Sequence, residues 1–226
     1  MAEKGMIIAI DGPAGSGKST VAALLARRYN YINIETGAMY RALAWKALET
    51  GVPLDDEAAL ADLAGKSRIE LQAHPNGNRV LLDGNDVTER IRRQDVTEAA
   101  SKVSVHPKVR AWMVQNQREL GAAGGIVMEG RDIGTHVFPQ ADIKIFLDAD
   151  PEVRGARRFL QNPTTHLKET AAADLRARDH RDRTRANSPL VPAPDAVIID
   201  STHMTLDQVM DNIVEVIEAR RNAAQK

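Results

Sequence analysis

The sequence contains no cysteine among its 226 residues. This absence excludes disulfide frameworks, thiolate zinc sites, iron–sulfur clusters and thiol nucleophiles, and it is typical of a protein in a reducing compartment. The apolar run before Asp11 is too short for a signal-peptide core, and no run reaches the roughly 18 apolar residues of a membrane span. We therefore expect a cytoplasmic protein that does not cross a membrane.

Aromatic residues are scarce, and there is no excess of positive charge. The chain has 2 Trp, 3 Tyr and 3 Phe, and its 30 Lys and Arg against 31 Asp and Glu give a net charge of −1. A dedicated nucleic-acid binder gains affinity from positive charge and stacking aromatics, so this class is disfavoured. Arginine outnumbers lysine 21 to 9. Its planar fork suits phosphate or carboxylate binding, although a compositional bias would produce the same excess.

Short apolar runs alternate with helical patterns along most of the chain. The runs lie at residues 6–10, 126–128, 143–147 and 197–199, with a weaker one at 31–34. The helical patterns cover residues 17–29, 37–49, 55–65, 95–120, 151–161, 168–186 and 205–223. Runs this short and apolar on both faces are typical of buried parallel strands joined by helical crossovers. The alternation predicts an α/β fold with a doubly wound, five-stranded parallel sheet.

One segment interrupts this alternation. Residues 68–87 contain two short strand patterns on either side of an Asn-Gly pair, which predicts a β-hairpin. We place this hairpin, with the helices beside it, in a small inserted subdomain.

A glycine-rich loop follows the first predicted strand and precedes the first predicted helix. It has the pattern G-x-x-x-x-G-K-[ST], in which backbone N–H groups and a helix N-terminus bind a triphosphate. The predicted ATP-binding residues are Gly12, Pro13, Ala14, Gly15, Ser16, Gly17, Lys18, Ser19 and Thr20. Lys18 should bridge the β- and γ-phosphates, and the Ser19 hydroxyl should ligate Mg²⁺.

Two acidic residues at strand ends are candidates for the metal's water shell. Glu129 follows the run at 126–128 and Asp148 follows the run at 143–147. Carboxylates at strand ends also cap loops, so both functions remain open for each of them.

A phosphate loop by itself indicates only nucleotide binding, and three classes compete. A GTPase would need an Asn/Thr-Lys-x-Asp tetrapeptide, which this sequence lacks. An ATP-driven nucleic-acid motor would need aromatics interleaved with a basic groove, and the few aromatics are not placed in this way. A small-molecule kinase remains, and it predicts a second phosphate site built from arginines.

Arginines occur in four places that could form that second site. They are Arg41, Arg131, the group at 154–158 and the run from Arg176 to Arg185. The last run mixes signs and, taken alone, is better explained as a solvated helix with i,i+3 and i,i+4 ion pairs. Arg131 lies between glycines directly after a buried strand, at the edge where open α/β sheets bind ligands.

Several longer motifs carry a family resemblance. They occupy residues 10–19, 35–41, 129–134, 138–149, 178–185 and 189–193. With them the chain resembles the bacterial cytidylate kinases of the nucleoside monophosphate kinase group over essentially its whole length. The resemblance implies a core at about 1–35, 122–153 and 186–226, a monophosphate-binding subdomain at about 36–121 and a short helical lid at about 154–185.

The resemblance also implies a reaction and its site residues. The γ-phosphoryl of ATP would pass to CMP or dCMP with Mg²⁺ present, in a monomer without nucleic-acid or membrane partners. The acceptor phosphate would be held by Arg41, Arg131, Arg178 and Arg185. The cytosine would be faced by Thr36, Arg110 and Asp132 with Arg185, the sugar by Ser101, Arg178 and Asp182, and Tyr40 would line the pocket. The transferring phosphates would be approached by Arg154 and Arg157. Catalysis would rest on Lys18, Arg131, Arg157, Arg178 and Arg185.

Departures from the family pattern and alternative functions for individual residues qualify this interpretation. Thr36 stands where the family often has serine, and the segment 161–175 is shorter than some relatives' lids. Asp132 could serve only as an ion-pair partner of Arg131 or Arg185, and Arg110 could be a surface residue. A kinase that also accepts UMP, or an ATP-binding protein without catalysis, remains an alternative, and CMP and dCMP are not distinguished.

No general base is predicted. The second pKa of a phosphate acceptor is about 6, so its oxygen is already ionised at neutral pH. The six histidines show no metal-ligand spacing and are interpreted as structural or surface residues.

Overall fold

The computed structural model describes residues 5–74, 77–161 and 168–224. The strands are β1 Ile7–Asp11, β2 Ile32–Glu35, β3 Ile69–His74, β4 Gly77–Leu82, β5 Asn85–Asp86, β6 Ile126–Gly130, β7 Ile143–Asp148 and β8 Val197–Asp200. The helices are α1 Lys18–Tyr29, α2 Thr36–Thr50, α3 Glu57–Gly65, α4 Gln94–Val103, α5 Pro107–Gly121, α6 Pro151–Gln161, α7 Lys168–Thr184 and α8 Leu206–Ala224. A 3₁₀ turn at Arg90–Arg92 and a π-helical turn at Ile133–Val137 complete them.

A five-stranded parallel sheet has the order β2-β6-β1-β7-β8. β1 pairs in parallel with β6 and β7, and β7 pairs in parallel with β8. The predicted α/β fold class is confirmed. Because β1 is central, the phosphate loop that follows it emerges between the carboxyl ends of two neighbouring strands, where open α/β sheets bind ligands.

The chain divides into two compact units, and the first contains Met1–Tyr31 and Gly124–Lys226. Its core consists of strand residues and of the apolar stripes of α1 and α8. Its members include Ile8, Ile10, Leu25, Val127, Ile145 and Ile213, all essentially inaccessible to solvent. Burial of β6 along its whole length explains the continuous apolar run over its first three residues, 126–128.

The second unit, Ile32–Ala123, contains α2 to α5 and a three-stranded sheet of order β3-β4-β5. The predicted hairpin is confirmed: β3 and β4 pair antiparallel from Ile69 opposite Leu82 to His74 opposite Gly77. Residues 75 and 76, which include the asparagine of the predicted turn, lie outside the described residues. The core of this unit includes Met39, Leu43, Leu60, Val80, Ile91 and Met113.

The prediction of one helix over 95–120 is wrong. The structure has α4 and α5 there, separated at residues 104–106. His106 is extended, with φ −74° and ψ 121°, because the ring of Pro107 disfavours a helical residue before it. Pro107 then occupies the first turn of α5, where its missing N–H costs nothing.

The other predicted elements agree with the structure to within about two residues, as is usual for helix and strand ends. Residues 162–167, which form part of the segment predicted to be a shortened lid, lie outside the described residues. The finer boundaries of core, monophosphate-binding subdomain and lid stay a prediction. Within the described residues, no helix is both long and apolar enough to span a membrane.

Candidate active site

The phosphate loop between β1 and α1 has a backbone that only glycine adopts without strain. Gly12, Gly15 and Gly17 have φ values of 147°, 77° and 100°. A Cβ on Gly12 would lie 2.0 Å from the carbonyl oxygen of Leu147, so the loop passes directly over the end of β7. The glycine spacing of the motif is therefore required by both the dihedral angles and the packing.

Lys18 is the first residue of α1, and its side chain folds back over the loop. It is only 4% exposed. Its Nζ donates to the carbonyl oxygen of Pro13 at 2.6 Å and to Ser16 Oγ at 3.3 Å. Burial lowers the pKa of Lys18 to about 7, and the positive charge of Arg131 acts in the same direction. A bound anion would favour the ammonium form of Lys18 and so oppose both effects on its pKa.

The Ser19 hydroxyl donates a hydrogen bond to Glu129 Oε1 at 2.5 Å. This contact joins the start of α1 to the end of β6 across 110 residues of sequence. The two side chains offer hard oxygen donors, which suit Mg²⁺ bound partly through substrate phosphates. Within the described ranges, no group of three or more His, Cys, Asp or Glu side chains is placed to hold a metal ion.

Asp148, the second acidic candidate, contacts the backbone of the next residue and an arginine of α7. Its Oδ1 accepts a hydrogen bond from the backbone N–H of Ala149 at 2.8 Å, and its Oδ2 lies 3.5 Å from Arg183. These contacts agree with the alternative that a strand-end carboxylate stabilises a loop. Glu129, bonded to Ser19, is the better placed of the two.

Arg131, at the end of β6, pairs with Asp182 on α7. Its Nε donates to Asp182 Oδ2 at 2.8 Å, and its Nη1 donates to the carbonyl oxygen of Gly130 at 3.2 Å. Burial favours the neutral form of Asp182, but Arg131 and Arg178 outweigh it and lower the pKa of this carboxyl. The pair holds the Arg131 guanidinium close enough to Lys18 to affect its pKa.

Arg185 and Asp132 extend this cluster. Arg185 Nη2 lies 3.5 Å from Asp132 Oδ1, and its Nη1 lies 4.0 Å from Asp182 Oδ1. Its Nε donates to the carbonyl oxygen of Ser188 at 2.6 Å. The structure thus brings together four predicted residues, Arg131, Asp132, Asp182 and Arg185. The run from Arg176 to Arg185 is not only a solvated helix, since Asp182 and Arg185 are buried.

Arg154, on α6, contacts the phosphate loop, and Arg157, on the same helix, contacts Ser201. Arg154 donates to the carbonyl oxygens of Ala149 at 2.8 Å and Ala14 at 3.0 Å, and it pairs with Asp179 at 2.6 Å. Arg157 donates to the hydroxyl of Ser201 at 3.0 Å and to its carbonyl oxygen at 2.7 Å. Both guanidinium groups are engaged with protein atoms, and direct contact with ATP stays a prediction.

The second unit contains the remaining predicted residues. Arg110 is buried, donates to the carbonyl oxygen of Ser104 at 3.3 Å, and lies 5.9 Å from the centroid of the Tyr40 ring. It is therefore not a surface residue. Thr36 and Ser101 are buried as well. Arg41 forms an ion pair with Glu35, the residue immediately before α2.

Sequence reasoning missed Asp11 and Ser201. Asp11 is a buried carboxylate, and both of its oxygens accept backbone hydrogen bonds. Ser201 connects Arg157 to the loop through a 3.4 Å contact of its Oγ with the carbonyl oxygen of Ser16. An acidic residue directly before the glycine loop was a visible signal for Asp11. Nothing local distinguished Ser201.

Comparison with known proteins places this site in a family. The family model for cytidylate kinase matches residues 8–219. A cytidylate kinase of Enterococcus faecalis (strain ATCC 700802 / V583) is 50% identical over 216 residues, covering 94% of this chain and 96% of that protein. A cytidylate kinase of Geobacillus thermodenitrificans (strain NG80-2) is 48% identical over 221 residues, covering 96% and 99%.

Among solved structures, an uncharacterized protein from Eubacterium ventriosum ATCC 27560 matches with a TM-score of 0.50 and 17% identity, covering 94% of this chain and 98% of that one. At this identity the likeness concerns the fold alone. The family match spans nearly the whole chain and includes the phosphate loop and the motif at residues 129–134, which contains Arg131. The chain belongs to the cytidylate kinase family.

Proposed function

We propose that this protein transfers the γ-phosphoryl group of ATP to CMP and dCMP, giving ADP and CDP or dCDP. The observation that carries the proposal is the position of the arginine cluster relative to the phosphate loop. Arg131 and Arg178 are close enough to Lys18 to lower its pKa. One edge of the sheet therefore offers positive charge for two phosphorylated ligands, as a transfer between them requires.

The two polyanions are brought into line by groups of opposite charge. The backbone N–H groups of the loop and Lys18 hold the ATP phosphates. Arg131, Arg178 and Arg185 hold the acceptor phosphate, and Arg41 is assigned the same function from the family pattern. The acceptor oxygen is already ionised near neutral pH, so no side chain has to remove a proton. Catalysis then depends on positioning and charge neutralisation.

Ser19 and Glu129 are the groups we assign to Mg²⁺, Ser19 directly and Glu129 through a bound water. Their oxygen donors and their 2.5 Å contact support this assignment. When bound, the ion would neutralise charge that develops on the β- and γ-phosphate oxygens. Ser19 and Glu129 also tie the start of α1 to β6, which fixes the loop that holds the phosphates.

Asp132 and Arg185 are assigned to the cytosine ring, together with Thr36 and Arg110. Cytosine presents an amino donor beside two acceptors, so a carboxylate and a guanidinium complement it. Uracil replaces that donor with a carbonyl oxygen. Asp132 would then face an acceptor in a buried site, which costs about 1–3 kcal/mol. Ser101, Arg178 and Asp182 are assigned to the sugar.

A substrate panel tests the proposal. Purified protein is assayed with ATP and Mg²⁺ against CMP, dCMP, UMP and AMP, with formation of the diphosphate followed directly. We expect turnover with CMP and dCMP, which a chelator removes and added Mg²⁺ restores. Equal rates with UMP would contradict the Asp132 assignment. ATP binding without transfer to any monophosphate would indicate a non-catalytic ATP-binding protein.

ATP binding should take up a proton at about pH 8. Burial, aided by Arg131, lowers the pKa of Lys18 to about 7 in the nucleotide-free chain, so its amine is then mostly neutral. A bound triphosphate favours the ammonium form, and ATP affinity should therefore fall as the pH rises above 7. Calorimetry with Mg-ATP in two buffers of different ionisation enthalpy measures the uptake.

The control for this measurement is Lys18→Arg, whose guanidinium stays charged over the whole range and should show no uptake. Identical binding enthalpies for the wild type in both buffers would contradict the prediction.

We infer that the protein acts as a monomer on small molecules in the cytoplasm. The absence of cysteine is typical of a reducing compartment, and the absence of a positive charge excess favours small-molecule ligands over nucleic acid. Sedimentation equilibrium at the concentrations of the activity assay tests the monomeric state, with a mass near 24.7 kDa expected.

A further inference from the structure

Asp11 is a buried carboxylate that the proposed mechanism does not use. It is the last residue of β1 and is 5% exposed. Burying a charged carboxylate is costly unless hydrogen bonds compensate for the loss of water. Burial raises the pKa of Asp11 to about 6, even though two backbone hydrogen bonds favour the ionised form. Because burial of the Asp11 carboxylate costs free energy, we expect this residue to have a function.

The two hydrogen bonds go to consecutive amides. The backbone N–H of Ile133 donates to Asp11 Oδ1 at 2.8 Å, and that of Gly134 donates to Oδ2 at 2.7 Å. These amides follow Arg131 and Asp132 directly. The Asp11 carboxylate, at the end of the central strand, is thus hydrogen-bonded to the segment that follows the neighbouring strand β6.

Lys144 also packs closely against this segment. A Cβ on Gly134 would lie 3.2 Å from Lys144 Cδ and 3.4 Å from Asp11 Oδ2. Lys144 is itself fixed, because its Nζ donates to the carbonyl oxygen of Pro139 at 2.5 Å and to the Asp195 carboxylate at 2.8 Å. The backbone at Gly134 is therefore in close contact with two anchored side chains, Lys144 and Asp11.

We propose that Asp11 is a positioning residue for phosphoryl transfer. Its carboxylate accepts hydrogen bonds from the amides of Ile133 and Gly134, which holds the segment that follows β6 and so places the Arg131 guanidinium. The proposal rests on the proposed function, since it assigns Arg131 to the acceptor phosphate. Two residues would then fix the position of Arg131. Asp182 orients its guanidinium, and Asp11 fixes the backbone beyond it.

The variant Asp11→Asn tests the proposal, with Asp142→Asn as the matched control. Asp142 Oδ2 also accepts a backbone hydrogen bond, from Ile7 at 2.7 Å, but at the opposite end of β1. We expect Asp11→Asn to lower kcat with CMP about 100-fold, the scale of a misplaced catalytic group, with ATP affinity within about twofold of wild type. Asp142→Asn should leave both unchanged.

A double-mutant cycle separates positioning from general stability. If Asp11 acts through Arg131, Asp11→Asn should cost less than about threefold in kcat when Arg131→Ala is already present. Independent effects, with the full loss in both backgrounds, would overturn the proposal. So would a fall in ATP affinity as large as the fall in kcat, or a lower melting temperature with unchanged kcat.

A measurement on the wild type covers the case in which Asp11→Asn does not fold. The amides of Ile133 and Gly134 should exchange slowly with deuterium, on the timescale of the strand amides of β1. Rapid exchange of either amide would overturn the proposal. If the wild-type protein transfers no phosphoryl group to CMP, the proposed function fails instead, and this is seen without any variant.

Discussion

Replacing Arg131 with alanine should lower kcat for CMP phosphorylation about a thousand-fold, while the ATP dissociation constant changes by less than about threefold. Arg131 directly follows β6 and is the residue we propose for the acceptor phosphate, whereas the loop and Lys18 are the groups we propose for the triphosphate. The loss should therefore appear in the transfer step and not in ATP binding.

The structure adds a second consequence of this change. Arg131 donates to Asp182 at 2.8 Å, and the Asp182 side chain is 7% exposed. Removing the guanidinium leaves a buried carboxylate without its main partner, which destabilises the protein. Melting curves should accompany the kinetics, so that loss of folded protein is separated from loss of transfer.

Two variants sharpen the interpretation. Arg131→Lys keeps the charge but loses the planar fork, so its kcat should lie between those of the wild type and the alanine variant. Arg176→Ala is the matched control, because Arg176 is 55% exposed and its ion pair with Glu152 lies at the surface. Wild-type kcat in Arg131→Ala would place the acceptor-phosphate site elsewhere.

Replacing Lys18 with alanine should lower kcat/KM for ATP about a thousand-fold. The ammonium is the charged side chain of the loop, and it is held over the loop by Pro13 and Ser16. The substitution leaves the loop glycines in place, so we expect the loop to keep its conformation. The lost activity should therefore reflect the missing charge at the β- and γ-phosphates.

The same variant should have a pH-dependent effect on stability. Burial lowers the pKa of Lys18 from 10.5 to about 7, so the cost of its buried charge is complete below pH 7 and disappears as the pH rises toward 10.5. Lys18→Ala removes that cost. The melting temperature of the variant minus that of the wild type should thus be larger at about pH 6 than at about pH 9.

Thermal melts of nucleotide-free protein at several pH values measure this difference. Lys66→Ala is the control, since Lys66 forms an exposed ion pair with Asp62 and its effect should not vary in this way. A difference that grows in favour of the variant with rising pH would show that the buried charge of Lys18 is not the cause.

Much of the fold followed from local patterns. The apolar runs became strands, the glycine motif became a phosphate loop, and residues 69–82 became the predicted hairpin. The helix at 95–120 was predicted wrongly because apolar periodicity continues through residues 104–106. Pro107 is the one local sign of a break, and proline is equally at home in the first turn of a helix.

The sequence by itself determined the strand–loop–helix unit, the α/β class and the family resemblance, because each depends on residues close together in the chain. Only the tertiary structure decided which distant side chains meet. Ser19 meets Glu129 across 110 positions, Arg131 meets Asp182 across 51, and Asp11 holds Gly134 across 123. Such contacts depend on strand order and helix packing, which sequence periodicity does not encode. The cluster of Arg131, Asp132, Asp182 and Arg185, and the hydrogen bonds that Asp11 accepts, therefore form only when the chain folds.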